Sequence, residues 1–271
     1  MLNSVSMNVV AQTSVGEVPN EVAQTLVCEF PGQRSQTEVC ATGIRQGLTR
    51  RIARERRRRR VGRAYDMALE IARVIPKGSE VLDVGCGNGF IAHHLSAMLG
   101  TKVVGLDVIN APEAPIDYRR YDREQFPVKA NSVDAVLLCY VLHHAQDASV
   151  VLKEVRRVLR EDGVVIIYED IPQSWWDKAM CWLHNRNWKD RTGPCTFRKK
   201  AEWRRLFDAL GFVIKRDRQL SRWRNLTHPV TRFSFVLQPE LTAANKANLR
   251  RTTLHTLPDA RGLRRSSCRY R

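Results

Sequence analysis

Val81-Leu82-Asp83-Val84-Gly85-Cys86-Gly87-Asn88-Gly89-Phe90 is the stretch whose reading decides the fold. Val81, Leu82 and Val84 are apolar and mostly β-branched, and they follow the turn signal Pro76-Lys77-Gly78-Ser79, which predicts a strand buried on both faces. Gly85, Gly87 and Gly89 then remove side chains at alternate positions, so the backbone can turn sharply and a ligand can approach the main chain. From Phe90 to Leu99 the apolar residues Phe90, Ile91, Leu95, Met98 and Leu99 recur at helical spacing, with Gly100 as the stop. The glycines therefore lie at a helix N-terminus, where free N–H groups and the macrodipole favour an anion.

A dinucleotide-binding turn of the Gly-x-Gly-x-x-Gly type needs its third glycine at position 90, and this chain has Phe90 there. The spacing acid-x-Gly-x-Gly-x-Gly, beginning at Asp83, instead resembles the first motif of the class I S-adenosylmethionine-dependent methyltransferases. The chain is most similar to their small-molecule branch, related to the quinone-biosynthesis enzymes. The resemblance covers residues 65–238, and its most specific parts are the glycine turn and the segment 132–144. It implies S-adenosyl-L-methionine as cofactor, held by Asp83, Gly85, Cys86, Gly87 and Gly89.

Downstream, Lys102-Val103-Val104-Gly105-Leu106-Asp107 reads as a second buried strand ending in an acid. A carboxylate 18 residues beyond Gly89 can accept hydrogen bonds from both hydroxyls of a ribose. In the resembling family this position, with Val108 beside it, holds the adenosyl ribose. A weaker strand, Ile116–Tyr121, leads to Asp122; the resemblance places Asp122 on the adenine amino group with the Arg123 backbone beside it. A capping role remains open for Asp122, because Glu124 and Gln125 follow closely. Ser132–His144 is predicted as a fully buried fourth strand running to the ligand edge of the sheet. There Cys139 and Tyr140 are expected to line the methionine end of the cofactor, mainly through backbone.

His143 and His144 follow that strand, where an acceptor would meet the methyl group. One of them is the candidate general base, since imidazole titrates near neutrality. Asp170 or Glu169, after the fifth strand Val164–Tyr168, is the group that orients it. A cap or a satisfied core histidine stays open as the plainer reading. Adjacent histidines seldom share one metal, so no metal site is expected.

The helix Ala148–Leu159 is predicted to end at Asp162-Gly163. Trp175, Trp176, Trp182 and Trp188 crowd the segment 174–196, read as a lid insertion over an apolar or aromatic acceptor, with core packing as the alternative. The helix from Thr196 to Leu210 and strands at Gly211–Ile214 and Thr231–Leu237 complete the expected architecture. It is an α/β doubly wound, mainly parallel, seven-stranded sheet with its last strand antiparallel, the Rossmann-like methyltransferase fold.

The net charge of +17 belongs mainly to the flanks of this domain. Residues 43–75 carry 11 Arg against 3 acids, residues 241–271 carry 8 basic residues against 1 acid, and residues 76–240 have 25 against 20. The organisation expected is a poorly ordered leader at 1–42, a basic arm or helix at 43–63, a methyltransferase domain at 64–240 and a basic flexible tail at 241–271. The arm suits solvent, an acidic membrane surface or RNA, all by the same nonspecific electrostatics. The stripe Tyr65, Ala68, Leu69, Ala72 and Ile75 predicts a helix packed beside the first strand. Seven Cys without a Cys-x-x-Cys pair indicate reduced thiols and a cytoplasmic protein. No run approaches the length of a membrane span, and no signal peptide is expected.

Three functions follow: a methyltransferase acting on O or C of a hydrophobic or aromatic small molecule, an RNA methyltransferase using the arginine arm, or a cofactor-binding domain without catalysis. The chain lacks an Asn/Asp-Pro-Pro-Tyr amine-methylation signature after strand four, where it has Cys139-Tyr140-Val141-Leu142.

Overall fold

A computed structural model describes residues 36–108, 112–225 and 228–240, with side chains described from residue 48 onward except 191–192. The expected leader, apart from its last residues, and the basic tail at 241–271 lie outside the described residues. Two compact units divide at residue 55, Met1–Glu55 and Arg56–Arg271. The first contributes the start of helix α1 (Gln36–Ala72), on which Leu48 and Ile52 are exposed.

In the second unit, seven strands form one sheet: β1 (Val81–Val84), β2 (Val103–Asp107), β3 (Asp117–Arg120), β4 (Val133–Cys139), β5 (Leu159–Asp170), β6 (Phe212–Leu220) and β7 (Arg232–Pro239). Their order is β3-β2-β1-β4-β5-β7-β6. The first five run parallel, and β7 enters antiparallel between β5 and β6. Chain order reverses between β1 and β4, and the crevice beyond their carboxyl ends is where a doubly wound sheet binds ligands.

Both faces are covered, as buried parallel strands require. Along β4, Val136 and Leu138 join the cluster that includes Leu152 and Val155 of α3 (Ala148–Val158) and Trp203 and Phe207 of α5 (Lys200–Ala209). Ala135 and Leu137, one residue out of phase, join Ala68, Ile71 and Ile75 with Leu95 and Leu99 of α2 (Phe90–Leu99). A period of two along the strand thus feeds two cores. The helix before β1 packs as expected, but through Ala64, Ala68, Ile71 and Ile75; Tyr65 and Leu69 of the predicted stripe are exposed.

Asp162-Gly163 does not stop the helix after β4. Helix α3 ends at Val158, capped through the Leu159 N–H to the Val155 carbonyl, and β5 already begins at Leu159. The register shifts between Val133 and Ala135, and a side chain at Gly163 would press on Leu159 and the Asp134 carbonyl. Gly163 therefore serves close strand approach, the second common use of a strand glycine.

Helix α4 (Trp175–Thr192) follows β5. Ser174 caps it, accepting from the Asp177 N–H, while Asp177 accepts from Ser174 N–H, Gln173 N–H and the Thr231 N–H and hydroxyl. One buried carboxylate thereby ties α4 to the start of β7. Among the described residues no helix is long and apolar enough to cross a membrane.

Candidate active site

The glycine turn has the backbone its composition predicts. Gly85, Gly87 and Gly89 all have positive φ, at 70°, 52° and 75°. Their surroundings differ: a side chain at Gly85 would collide with Val141 and one at Gly89 with Pro112, while one at Gly87 would meet open space. Gly85 and Gly89 are therefore required by packing, and Gly87 leaves room beside the main chain. The Gly87 N–H donates to Asp107 Oδ2 at 2.8 Å and the Val108 N–H to Oδ1 at 2.7 Å, so the acid ending β2 braces the turn from behind.

A cavity of about 570 Å³ opens at this crevice. At one end it is lined by Gly85, Gly87, Asp107, Val108, Arg123 and Tyr140, and at the other by His143, His144, His184, Trp188, Asp170 and His228. Of the expected cofactor residues, Asp83 and Cys139 are packed behind the lining rather than in it. Asp83 is buried with Oδ2 unpartnered, and burial, reinforced by the charge of Asp107, pushes its carboxyl up to about 7. Cys86 does not line the cavity, and burial next to Asp83 and Asp107 drives its thiol well above the ordinary range. Gly89 is the left-handed N-cap of α2. Asp122 does not line the main cavity; with Val108, Tyr121 and Arg123 it lines an adjoining depression. It accepts from the Glu124 and Gln125 N–H groups and so closes a turn; no helix follows, so the helix cap that its sequence context left open does not form.

Tyr140 and Arg123 are non-glycine residues in the left-handed region, at φ 63° and 78°. A bulky residue there costs on the order of 1–3 kcal/mol and is held by its surroundings. Tyr140 is fixed by its N–H to the Tyr168 carbonyl at 2.8 Å and by the Arg232 guanidinium 5.5 Å over its ring.

At the opposite end, His143 is 1% exposed and stacks on Phe197 with ring centroids 4.9 Å apart. Its Nδ1 lies 2.7 Å from Glu169 Oε2, while Glu169 Oε1 accepts from the Leu142 N–H at 2.8 Å. The carboxylate of β5 thus fixes the ring, and His143 Nε2 is left buried without a partner among the described residues. Burial alone would depress this imidazole, but the adjacent Glu169 charge and hydrogen bond outweigh it and raise its pKa. His144 goes the other way: burial and the neighbouring His143 and His184 lower it to about 3. A ring so weakly basic is a poor proton acceptor at neutral pH. Asp170 is paired with Arg232, Nε to Oδ1 at 2.9 Å, and with His228, Nε2 to Oδ2 at 3.1 Å. Glu169, rather than Asp170, orients the histidine.

Helix α4 supplies His184, lowered to about 4 by burial and by His143, and Trp188 stacked on it at 5.9 Å. Of the four tryptophans in this segment only Trp188 lines the cavity; Trp175 and Trp182 are 78% and 63% exposed. Sequence reading also missed the basic wall made by Arg63, Arg224 and Arg232. Arg232 is buried, and its Nη1 has no partner among the described residues. Arg224 is neutralised by Glu70, with Nη2 to Oε1 at 2.6 Å. No local pattern marks these arginines, because they meet only after α1, β7 and the turn at Arg222–Arg224 converge.

A doubly wound sheet with an acid-braced glycine turn at its switch point is the framework of nucleoside-binding transferases. The chain belongs to the methyltransferase domain family, whose model matches residues 53–216. These proteins use S-adenosyl-L-methionine. The chain is 32% identical over 111 residues to an arginine-hydroxylase, NDUFAF5, of Danio rerio, covering 38% of this chain and 34% of that protein. It is 30% identical over 102 residues to a ubiquinone biosynthesis O-methyltransferase of Rhizobium rhizogenes, covering 34% and 41%. The matches thus span well under half the length of those curated relatives. A crystal structure of a SAM-dependent methyltransferase from Methanosarcina mazei superposes with a TM-score of 0.51 at 20% identity, over 64% of this chain and 97% of that one. This likeness is one of fold.

The residues present fit the cofactor. Gly87 leaves open space beside its backbone, Asp107 stands at the end of β2, and Asp83 presents an orphaned buried carboxylate oxygen. Two carboxyl groups at neighbouring strands suit a ligand that carries both an ammonium and a sulfonium.

Proposed function

We propose that this protein transfers the methyl group of S-adenosyl-L-methionine to an oxygen or carbon of a hydrophobic or aromatic small molecule. The observation that supports the reading best is the continuity of one cavity, which joins the glycine turn and Asp107 to the histidine and tryptophan wall. When bound, the cofactor supplies an electrophilic methyl carbon on a sulfonium. In this reading Gly85, Gly87, Asp107, Val108 and Tyr140 hold the nucleoside end, and the Asp83 carboxyl, which loses its proton more readily beside a cation, compensates the cofactor's positive charge from behind.

The acceptor occupies the far end, against Trp188 and the face of His144. Displacement at a methyl carbon is accelerated mainly by alignment and exclusion of water, which a walled, largely apolar chamber provides. The basic wall at Arg232 and Arg63 favours an acceptor that carries a carbonyl or acidic group as well as its apolar part. His143, His144 and Asp170 remain the groups proposed to manage the acceptor's ionisable atom. The two histidines have different surroundings: His144, lowered to about 3, stays neutral, whereas Glu169 holds the His143 ring and raises its pKa.

Incubating the full chain with methyl-labelled cofactor and fractionated small-molecule extract tests the proposal. Label in an organic-soluble fraction, lost in Asp107→Ala, is expected. Label in RNA alone would replace the small-molecule reading with the RNA one, and absence of any heat on titrating the cofactor into the protein would remove both.

A further inference from the structure

We propose that His143, His144 and His184 form a three-histidine site for a divalent transition cation of the Zn²⁺ class, open on its fourth side toward the acceptor end of the cavity. The ligand nitrogens of the three residues all lie within 4.8 Å of one another. His144 Nε2 and His184 Nε2 are 3.3 Å apart. Two imidazole nitrogens bound tetrahedrally to one cation at about 2.0–2.1 Å stand roughly 3.3 Å apart, so this pair already has the spacing of a chelate.

His143 points to a ligand independently. Its Nδ1 is committed to Glu169, and its Nε2 is buried with no partner among the described residues. A hydrogen bond between His144 and His184 would satisfy those two rings and leave the His143 nitrogen with nothing. A cation bound by all three satisfies every one of them. Carboxylate, then histidine, then metal is also the usual order of support at such centres, because the carboxylate fixes the tautomer and strengthens the donor. His144 has weaker backing, with Nδ1 3.3 Å from Cys195 Sγ, and its Nε2 is the nitrogen that faces His184. Three neutral nitrogen donors select a Zn-like ion over Mg²⁺ or Ca²⁺, which take oxygen. Three protein ligands with an open fourth position is the arrangement of catalytic rather than structural zinc.

Bound there, the cation holds and acidifies an acceptor hydroxyl, the task otherwise left to a free imidazole. That role rests on the methyl-transfer reading; the binding of the metal does not.

Full-length protein stripped with a chelator is titrated with Zn²⁺ and with Co²⁺. The expected result is one equivalent more than the His184→Ala variant takes up, with the intense visible bands of four-coordinate cobalt. His184→Ala is preferred to a His143 change because His143 is core-buried, and His144→Asn provides a second variant; melting curves confirm that both fold. Glu169→Gln, which keeps the contact but weakens the donor, is expected to lower metal affinity about 10–100-fold. Equal uptake by wild type and both histidine variants, or the faint spectrum of six-coordinate cobalt, would overturn the site. Metal binding without methyl transfer would leave the site standing and remove its role. Methyl transfer unaffected by chelation, together with no specific uptake, would remove the site and leave the reaction.

Discussion

The two ends of the cavity are built on different plans. The cofactor end comes from consecutive residues at the tip of β1 and one acid at the tip of β2, braced by backbone N–H groups. The histidine end is gathered from the loop after β4, the tip of β5, helix α4 and the loop at Cys195, and side chains hold it together. Geometry at the first end is set by which residues lack a Cβ, and at the second by which buried polar atoms find partners. The first should therefore fail locally and cleanly when mutated, whereas the second should fail cooperatively.

Glu169→Ala is expected to have the largest effect. It removes a fully buried carboxylate and leaves the Leu142 N–H and His143 Nδ1 without acceptors, which costs about 3–5 kcal/mol in denaturant unfolding. A loss below about 1 kcal/mol would mean that the histidine end is not an interlocked network. Asp107→Ala should weaken cofactor binding by about 100-fold in calorimetry, the equivalent of roughly 2.7 kcal/mol, with the melting temperature moved far less. If the protein unfolds instead, the cofactor end is not the locally built site described.

Asp177 gives the comparison a pH axis. Burial alone would raise this acid, but four donors from Gln173, Ser174 and Thr231 outweigh it and lower it to about 2. A depressed folded pKa means the contribution is complete above the unfolded value near 4 and is lost as pH falls through about 2. The loss across that window is about 2.5 kcal/mol, and α4 with His184 should loosen along with it. Acid unfolding curves of wild type and Asp177→Asn should then converge at the low end; parallel curves would show that the clamp carries no such charge effect.

Gly87→Ala should cost only about 1 kcal/mol of stability, for its positive φ, yet reduce cofactor affinity more than that, since the added methyl projects into open space. Smallest of all, Trp182→Ala should change stability and acceptor KM hardly at all, while Trp188→Ala should raise acceptor KM several-fold. Equal effects from the two would restore the wider lid that the tryptophan-rich segment suggests.

The core was legible from periodicity wherever a run was apolar throughout, as in β1, β2 and β4, and the antiparallel last strand was placed correctly. The breakdown came at Asp162-Gly163, where a dipeptide that commonly ends helices is instead accommodated inside β5 against Leu159. Short-range signals cannot distinguish a glycine that stops a helix from one that admits a neighbouring strand. Asp122 shows the limit of a local capping signal: its carboxylate does accept from the Glu124 and Gln125 N–H groups, but it closes a turn, and no helix follows it.

What the chain's order of residues determined was the glycine turn, the acid 18 positions after it and the sheet they imply, because those features depend on backbone conformation and near neighbours. Tertiary structure alone decided that His184 meets His143 and His144, that Glu169 rather than Asp170 stands behind the ring, and that Arg63 shares a wall with Arg232. Each of those pairings joins residues from separate elements, and which side chains face a common space is fixed only when the elements pack.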